Sequence, residues 1–171
     1  MRQPVLPSDP LALRQAFGCF ATGVTVVTSR ALDGSLVGVT VNSLTSVSLV
    51  PALLLVSLSG KLNSLPTFTQ AGVFAVNVLG SRHADLARRF ATPSSDKWSE
   101  TLHSAGMTGA PILDDAETIF ECETMDIVPA GDHHLFIGHI VSASTKSGDG
   151  PLIFHRGRFT TTLMTIPYVG E

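Results

Sequence analysis

Thr40-Val-Asn-Ser-Leu-Thr-Ser-Val-Ser48 is the stretch around which the rest of the chain is best interpreted. It follows a strand-like run, residues 35–39, and it precedes an apolar run, residues 51–58. Five of its nine residues carry a hydroxyl and one carries an amide. Uncharged donors and acceptors between two buried strands suit a planar ligand with a polar edge. A Ser/Thr-rich loop that bonds its own backbone has the same composition, so both interpretations stay open at this point.

Outside this stretch, the chain consists mainly of short, turn-linked strands. Asp33-Gly34 is a hairpin turn signal, and Asp9-Pro10 is a helix start in which Asp9 caps and Pro10 takes the first position. Apolar and β-branched runs predict strands at residues 23–29, 35–39, 53–58, 73–79, 118–128, 134–145 and 151–162. Helices are expected after Pro10, at 67–71 and at 81–90, with an irregular segment at 92–109 and a turn at 110–115. The pattern predicts a mainly β fold with flanking helices, built as an antiparallel barrel.

Composition narrows the class of protein. The chain has 171 residues, of which 44% are hydrophobic and only 15% are charged, and its net charge is −3. That length fits one domain, and so few charges predict that part of the surface is covered in a homo-oligomer. The slightly negative net charge does not favour nucleic acid as a partner. No apolar run approaches the roughly 18 residues of a membrane span. Two cysteines outside any C-x-x-C pair are typical of a cytoplasmic protein with free thiols.

Several polar groups are candidates for a site, and each has a structural alternative. His133 lies at a hairpin tip after Gly131-Asp132, where functional side chains are often placed, although an ordinary surface turn has the same pattern. His155 ends an apolar strand and is equally suited to a barrel rim. Lys61 with nearby serines and Arg89-Phe90 are candidate phosphate contacts, and the arginine also suits a helix C-terminus. No G-x-G-x-x-G, G-x-S-x-G or H-E-x-x-H pattern occurs, so we expect no Rossmann site, serine hydrolase or metal centre.

The order of these motifs resembles the flavin reductase domain family, the small NAD(P)H:flavin oxidoreductases that serve two-component monooxygenases. Seven fragments carry the resemblance, in the family's order and over about residues 13–163. They are Phe20-Ala-Thr-Gly-Val-Thr-Val-Val-Thr28, Gly38-Val-Thr-Val-Asn-Ser-Leu-Thr-Ser-Val-Ser-Leu49 with Pro51, Phe74-Ala-Val-Asn-Val-Leu79, Leu86-Ala-Arg-Arg-Phe90, Gly109-Ala-Pro-Ile-Leu113, Gly131-Asp-His133 with Gly138, and Pro151-Leu-Ile-Phe-His-Arg-Gly157.

The resemblance implies a fold and a set of site residues. It implies one flavin reductase domain over residues 1–171 with the FMN-binding, Greek-key-like split β-barrel fold, assembled as a homodimer. The isoalloxazine and ribityl arm would contact Val41, Asn42, Ser43 and Ser46. The phosphate end would contact Ser57, Leu58, Ser59, Asn63 and Ser64, assisted by Arg89 and Phe90. His133 and His155 would contact the nicotinamide nucleotide.

The resemblance also implies a reaction, in which a hydride passes from NADH or NADPH to FMN or FAD, and the reduced flavin goes to a partner monooxygenase. The histidines would be positioning residues, because hydride transfer needs no protein proton donor. Two positions depart from the family's pattern: Asn63 stands where an arginine is frequent, and Phe154 where many members have tyrosine. Thr40-Val-Asn-Ser43 does not decide between FMN and FAD. A non-catalytic flavin carrier or sensor is the main alternative, and a split-barrel oxidase or haem-binding relative is a weaker one.

Overall fold

Strands form most of the regular structure in the computed structural model, which describes residues 4–93, 96–148 and 150–161. Within these residues there are three helices, one before the first strand and two between later strands. The helices are α1 Pro10–Phe17, α2 Leu65–Ala71 and α3 Ala84–Ala91. The strands are β1 Thr22–Gly23, β2 Thr25–Arg30, β3 Leu36–Val41, β4 Thr45–Leu49, β5 Ala52–Ser59, β6 Val73–Val78, β7 His103–Ala105, β8 Pro111–Leu113, β9 Thr118–Ala130, β10 His133–Thr145, β11 Ile153–His155 and β12 Arg158–Thr160.

The main sheet has seven antiparallel strands in the order β3-β2-β6-β9-β10-β5-β4. Its two ends share one hydrophobic core, because valines of β3 pack in the same cluster as Leu54, Val56 and Leu58 of β5. Phe74 and Phe136 fill the middle of that cluster with an edge-to-face contact. Strands that are distant in the sheet can share a core only if the sheet curves strongly, as it does in barrels. The mainly β prediction is therefore confirmed.

A second core lies on the other face of β2. Val24 and Val26 pack there with Ala87 and Phe90 of α3, whereas Val27 points into the first core. The strand β2 is thus covered on both faces, which explains its near-continuous run of β-branched residues. This second core places the C-terminal end of α3 on the outer face of β3, where the candidate site is found.

Asn77, the one polar residue in the apolar strand β6, ties three segments together. Its side-chain amide nitrogen donates to the carbonyl of Val26 at 3.0 Å and to the hydroxyl of Thr28 at 3.1 Å. Its amide oxygen accepts from the Leu113 backbone nitrogen at 2.8 Å. Because Asn77 is fully buried, these bonds replace the water that the amide loses on folding.

Local signals in the sequence are confirmed where turn and cap chemistry is strong. The Asp9 carboxylate accepts from the backbone nitrogens of Leu11 and Ala12 at 3.0 and 3.1 Å, and Pro10 begins α1. Asp33-Gly34 forms the turn between β2 and β3. The long hairpin of β9 and β10 turns at Gly131 and Asp132.

Two predictions from the sequence are wrong in detail. The single last strand expected at 151–162 is a hairpin of β11 and β12, because Arg156 and Gly157 both adopt positive φ, 49° and 75°, and reverse the chain there. Gly157 therefore lies in a turn, and Thr162 lies outside the described residues. The segment 92–115, expected to be an irregular segment followed by a turn, contains β7 and β8, whose three residues each are too few to give a periodic signal.

Candidate functional site

A cleft of about 720 Å³ opens along the outer face of β3. It lies between β3, the loop before α2, and the segment that follows α3. Backbone and side chains of these three segments form its walls: Leu36, Val37, Gly38, Val39, Lys61, Leu62, Asn63, Ser64, Phe90, Ala91, Pro93, Lys97 and Trp98.

Close packing on β3 holds one wall of the cleft in place. A Cβ at Gly38 would lie 2.5 Å from Cε1 of Phe90, so the glycine allows the phenyl ring to rest directly on the strand. The Thr40 hydroxyl donates to the Ala87 carbonyl at 2.7 Å, which fixes α3 to β3. The indole of Trp98 donates to the Leu36 carbonyl at 3.0 Å and meets Phe90 edge-to-face.

The cleft is positively charged. Within the described residues, both charged side chains that line it are lysines, Lys61 and Lys97. The ammonium of Lys97 donates to the carbonyl of Phe90 at 3.0 Å and to that of Gly38 at 3.4 Å. Burial lowers the pKa of Lys97, because the protein interior solvates a cation less well than water does. With these two lysines and no carboxylate among its described lining residues, the cleft is suited to an anionic ligand.

Lys97 and Trp98 are the site residues that sequence reasoning missed. They lie in a polar segment without periodicity, and their positions depend on bonds to β3, about sixty residues earlier in the chain. The signal that would have pointed to them is the presence of the only tryptophan of the chain beside a lysine in an otherwise polar segment.

The residues predicted for the phosphate end divide into two groups. Asn63, Ser64 and Phe90 line the large cleft. Leu58 packs in the main core with 1% of its surface exposed, so only its backbone is available to a ligand. The guanidinium of Arg89 forms an ion pair with Glu100 at 2.9 Å and donates to its carbonyl at 2.7 Å, so Arg89 braces the segment that carries Lys97 and Trp98.

Two of the predicted serines, Ser43 and Ser59, use their hydroxyls to bond backbone groups of the protein. The Ser43 hydroxyl accepts from the Ser57 backbone nitrogen at 2.9 Å and donates to the Ser57 carbonyl at 3.1 Å. The Ser59 hydroxyl accepts from the backbone nitrogen of Lys61 at 3.3 Å. Ser46 lies exposed on β4. Within the opening stretch, the Thr45 hydroxyl donates to the Ser43 carbonyl at 3.4 Å, so the stretch bonds its own backbone in part, as one of its two interpretations expected.

Val41 and Asn42, predicted to cradle a ring, line a second cleft of about 200 Å³. Phe154 and Phe159 form its other side. Ala91, at the end of α3, lines both clefts, so the two adjoin along β3. A polar-edged ring and an anionic tail can therefore be bound along one strand.

The turn that carries His133 lies against the loop of Lys61. The Gly60 nitrogen donates to the Asp132 carbonyl at 2.8 Å, and His133 pairs with Ser59 across β10 and β5. The His133 imidazole donates from Nδ1 to the Asp132 carboxylate at 2.7 Å, and this bond lowers the pKa of Asp132. Asp132 thus orients the ring of His133 and leaves its Nε2 for a ligand.

His155 and His133 lie in different sheets, since β11 belongs to the three-stranded sheet and β10 to the seven-stranded one. His155 follows Phe154, a wall of the smaller cleft, and pairs with Arg158. The structure thus brings Val41 and Asn42 to a cleft that adjoins the one lined by Asn63, Ser64 and Phe90. It places the two histidines in separate sheets.

Other reactive groups lie outside the clefts. Burial raises the pKa of the Cys122 thiol to about 12, so this cysteine remains protonated at neutral pH. Among the described residues, no three His, Cys, Asp or Glu side chains form a group that could hold a metal ion. No helix of the described part of the chain is long and apolar enough to cross a membrane.

Comparisons with known proteins agree on one family. The family model for the flavin reductase like domain matches residues 17–163. The chain is 46% identical over 153 residues to a protein of Rhizobium meliloti (strain 1021) described as a probable flavin reductase, covering 90% of this chain and 49% of that one. It is 40% identical over 149 residues to the reductase component of a flavin-dependent trigonelline monooxygenase of Acinetobacter baylyi, covering 87% and 48%. The chain therefore spans about half the length of these relatives.

A solved structure shows the same fold. The NADH:FAD oxidoreductase SgcE6 of Streptomyces globisporus C-1027, in complex with NAD and FAD fragments, superposes with a TM-score of 0.89 at 34% identity. The match covers 99% of this chain and 100% of that one. The curved sheet and its flanking helices are therefore those of a known oxidoreductase architecture.

Proposed function

Since this chain belongs to the family of flavin reductase like domains, we propose that it reduces a flavin with NADH or NADPH and supplies the product to a partner monooxygenase. One observation carries the proposal most directly. The ring-sized cleft at Val41 and Asn42 adjoins a larger, lysine-lined cleft, and the turn of His133 packs against the loop of Lys61. The relatives named as reductases and monooxygenase reductase components support the same reaction.

The donors present fit a flavin. In this proposal, Val41 and Asn42 contact the isoalloxazine, and Asn63 and Ser64 bind the phosphate, with Lys61 in place of the family's arginine as the nearby cation. An amide, a hydroxyl and an ammonium at one cleft wall are suitable phosphate donors. The other predicted residues act less directly. The Ser43 hydroxyl bonds the backbone of Ser57, and the Ser59 hydroxyl bonds the backbone of Lys61. Leu58 offers only its backbone, and Ser46 lies exposed on β4. Arg89 braces the opposite wall of the cleft, which Phe90 helps to form.

Positioning is the main catalytic work of the chain's own residues. When bound, flavin supplies a ring that accepts the hydride of a nicotinamide. Asp132 fixes the imidazole of His133 through a 2.7 Å bond, so the histidine holds one orientation toward the nicotinamide nucleotide. His155, beside the smaller cleft, contacts the same nucleotide in this proposal. Bringing two rings into reacting geometry removes much of the entropic barrier and requires no protein acid or base.

The assembly is proposed to be a homodimer of split barrels, with one domain over residues 1–171 and its core at about 13–163. The edge strand β4 and the turn after it carry Val47, Leu49 and Val50 with 49%, 85% and 91% of their surfaces exposed. An apolar sheet edge is prone to pairing unless another chain covers it. The two free cysteines suit a cytoplasmic location.

A steady-state assay with a matched pair of histidine variants tests the function. Purified protein with FMN or FAD should consume NADH, and His133→Ala should raise the apparent KM for NADH about tenfold and that for flavin much less, as loss of one charged or polar contact does. His139→Ala, an exposed histidine further along the same strand, is the control and should change neither constant. Flavin binding without NADH consumption would instead indicate a flavin carrier.

A further inference from the structure

The large cleft continues past the residues that a flavin phosphate would use. Along β3, the ring cradle lies at Val41, whereas Trp98 is bonded to the carbonyl of Leu36 at the opposite end of the strand. Five residues of strand separate these two points by about 16 Å, at about 3.3 Å per residue. A ligand that reaches both ends of β3 must therefore be elongated and much longer than a single ring system.

The far end has the chemistry of a base-binding site. Leu36 and Trp98 form its walls, one with an apolar side chain and the other with an indole. Aromatic and aliphatic surfaces of this kind bind planar heterocycles by stacking and by burial of apolar area. A phosphate gains nothing from such walls, so they point to a heterocyclic occupant.

The charges near this end match a second phosphate. Of the three N–H donors of the Lys97 ammonium, two are engaged by the carbonyls of Phe90 and Gly38, which leaves one for a ligand. Lys61 supplies a cation at the Asn63–Ser64 wall, and Lys97 supplies another at the Trp98 wall. One lysine on each side of the cleft suits the two phosphates of a diphosphate bridge.

We propose that the far end of the large cleft binds the adenosine monophosphate half of flavin adenine dinucleotide, with Lys97 on the second phosphate and Trp98 beside the adenine. This inference rests on the proposed function and sharpens it, because it makes FAD the preferred flavin. NADH also carries an adenosine diphosphate group. The flavin is assigned here because the ring cradle and the far end lie at the two ends of β3, and the phosphate residues line the same cleft as the far end.

Equilibrium binding measured by flavin fluorescence tests the proposal without turnover. FAD should bind at least about tenfold more tightly than FMN, and free AMP should displace FAD but leave FMN bound, since AMP and FMN together make up the two halves of FAD. Lys97→Gln and Trp98→Leu should each lower the ratio of FAD to FMN affinity about fivefold or more, and Lys97→Arg should restore much of it.

Controls separate ligand binding from a structural role. Lys146 also donates to a backbone carbonyl, that of Asp114, but lies outside the cleft, so Lys146→Gln should keep the ratio unchanged. Equal weakening of both flavins in the Lys97 and Trp98 variants would overturn the assignment, as would AMP that competes with NADH and not with FAD. If FMN and FAD bind equally while NADH is consumed, only this inference fails. If neither flavin binds, the proposed function fails with it.

Discussion

Replacing Gly38 by alanine tests how the fold builds the cleft wall. The new Cβ would lie 2.5 Å from Cε1 and 2.7 Å from Cδ1 of Phe90, whose ring is fully buried between β3 and Trp98 and must shift to relieve the contact. Overpacking of this kind costs about 1–3 kcal/mol, whereas alanine stabilises a compatible backbone by about 0.4–1 kcal/mol through the unfolded state. The net loss is about 0.5–2 kcal/mol, which lowers Tm by roughly 1–8 °C in a chain of this size.

The same substitution should weaken flavin binding, because Phe90 must move into the cleft or push against Trp98. Urea denaturation gives the change in unfolding free energy, and fluorescence titration with FAD gives the change in affinity, which we expect to fall at least about threefold. Gly23→Ala is the matched control, since Gly23 also lies in a strand and a Cβ there would meet no atom within 4 Å. Equal stability and affinity in the two variants would refute the direct contact between Phe90 and β3.

Two further predictions concern the core and the His133 turn. Asn77→Leu removes the acceptor of the Leu113 nitrogen and should destabilise the protein by about 1–3 kcal/mol, measured by the urea midpoint at constant m-value. The bond from His133 lowers the pKa of Asp132 below its ordinary value of 3.8. The bond therefore stabilises the folded protein fully above pH 3.8, and this stabilisation is lost as the pH falls through the lowered pKa. An NMR titration should show this depressed pKa, and His133→Ala should return it toward 3.8.

Contrary results for Asn77 and Asp132 would each overturn the role assigned to one of the contacts described above. An Asn77→Leu variant as stable as the parent would mean that the three bonds of the amide are worth no more than the apolar surface that replaces them. An Asp132 carboxyl that titrates at its ordinary pKa in the intact protein would remove the orienting contact assigned to His133.

Local chemistry explains which parts of the fold were predictable. Asp9-Pro10 was sufficient to predict the start of α1, and Asp33-Gly34 was sufficient to predict the turn between β2 and β3. A helix cap and a tight turn depend on residues within a few positions of each other. Sequence alone did not predict β7, β8 or the final hairpin at Arg156-Gly157, because strands of three residues carry no periodicity. Their formation depends on neighbours that the pattern does not identify.

The site was predictable to the extent that its residues lie in one stretch. Val41 and Asn42 line a cleft, whereas the hydroxyl of Ser43, in the same stretch, bonds the backbone of β5. Sequence alone does not distinguish a hydroxyl that faces a ligand from one that bonds its own chain. Lys97 and Trp98 reach the cleft only through long-range bonds to β3, which no local pattern reveals.

An anaerobic single-turnover experiment tests the central claim most directly. Protein mixed with FAD and a limiting amount of NADH is followed in a stopped-flow instrument at the flavin and nicotinamide absorbance bands. Both bands should decay together, with one flavin bleached for each NADH consumed, and neither should decay at that rate without protein. Unchanged absorbance at both bands, with FMN as well as with FAD, would contradict the assignment of this chain as a flavin reductase.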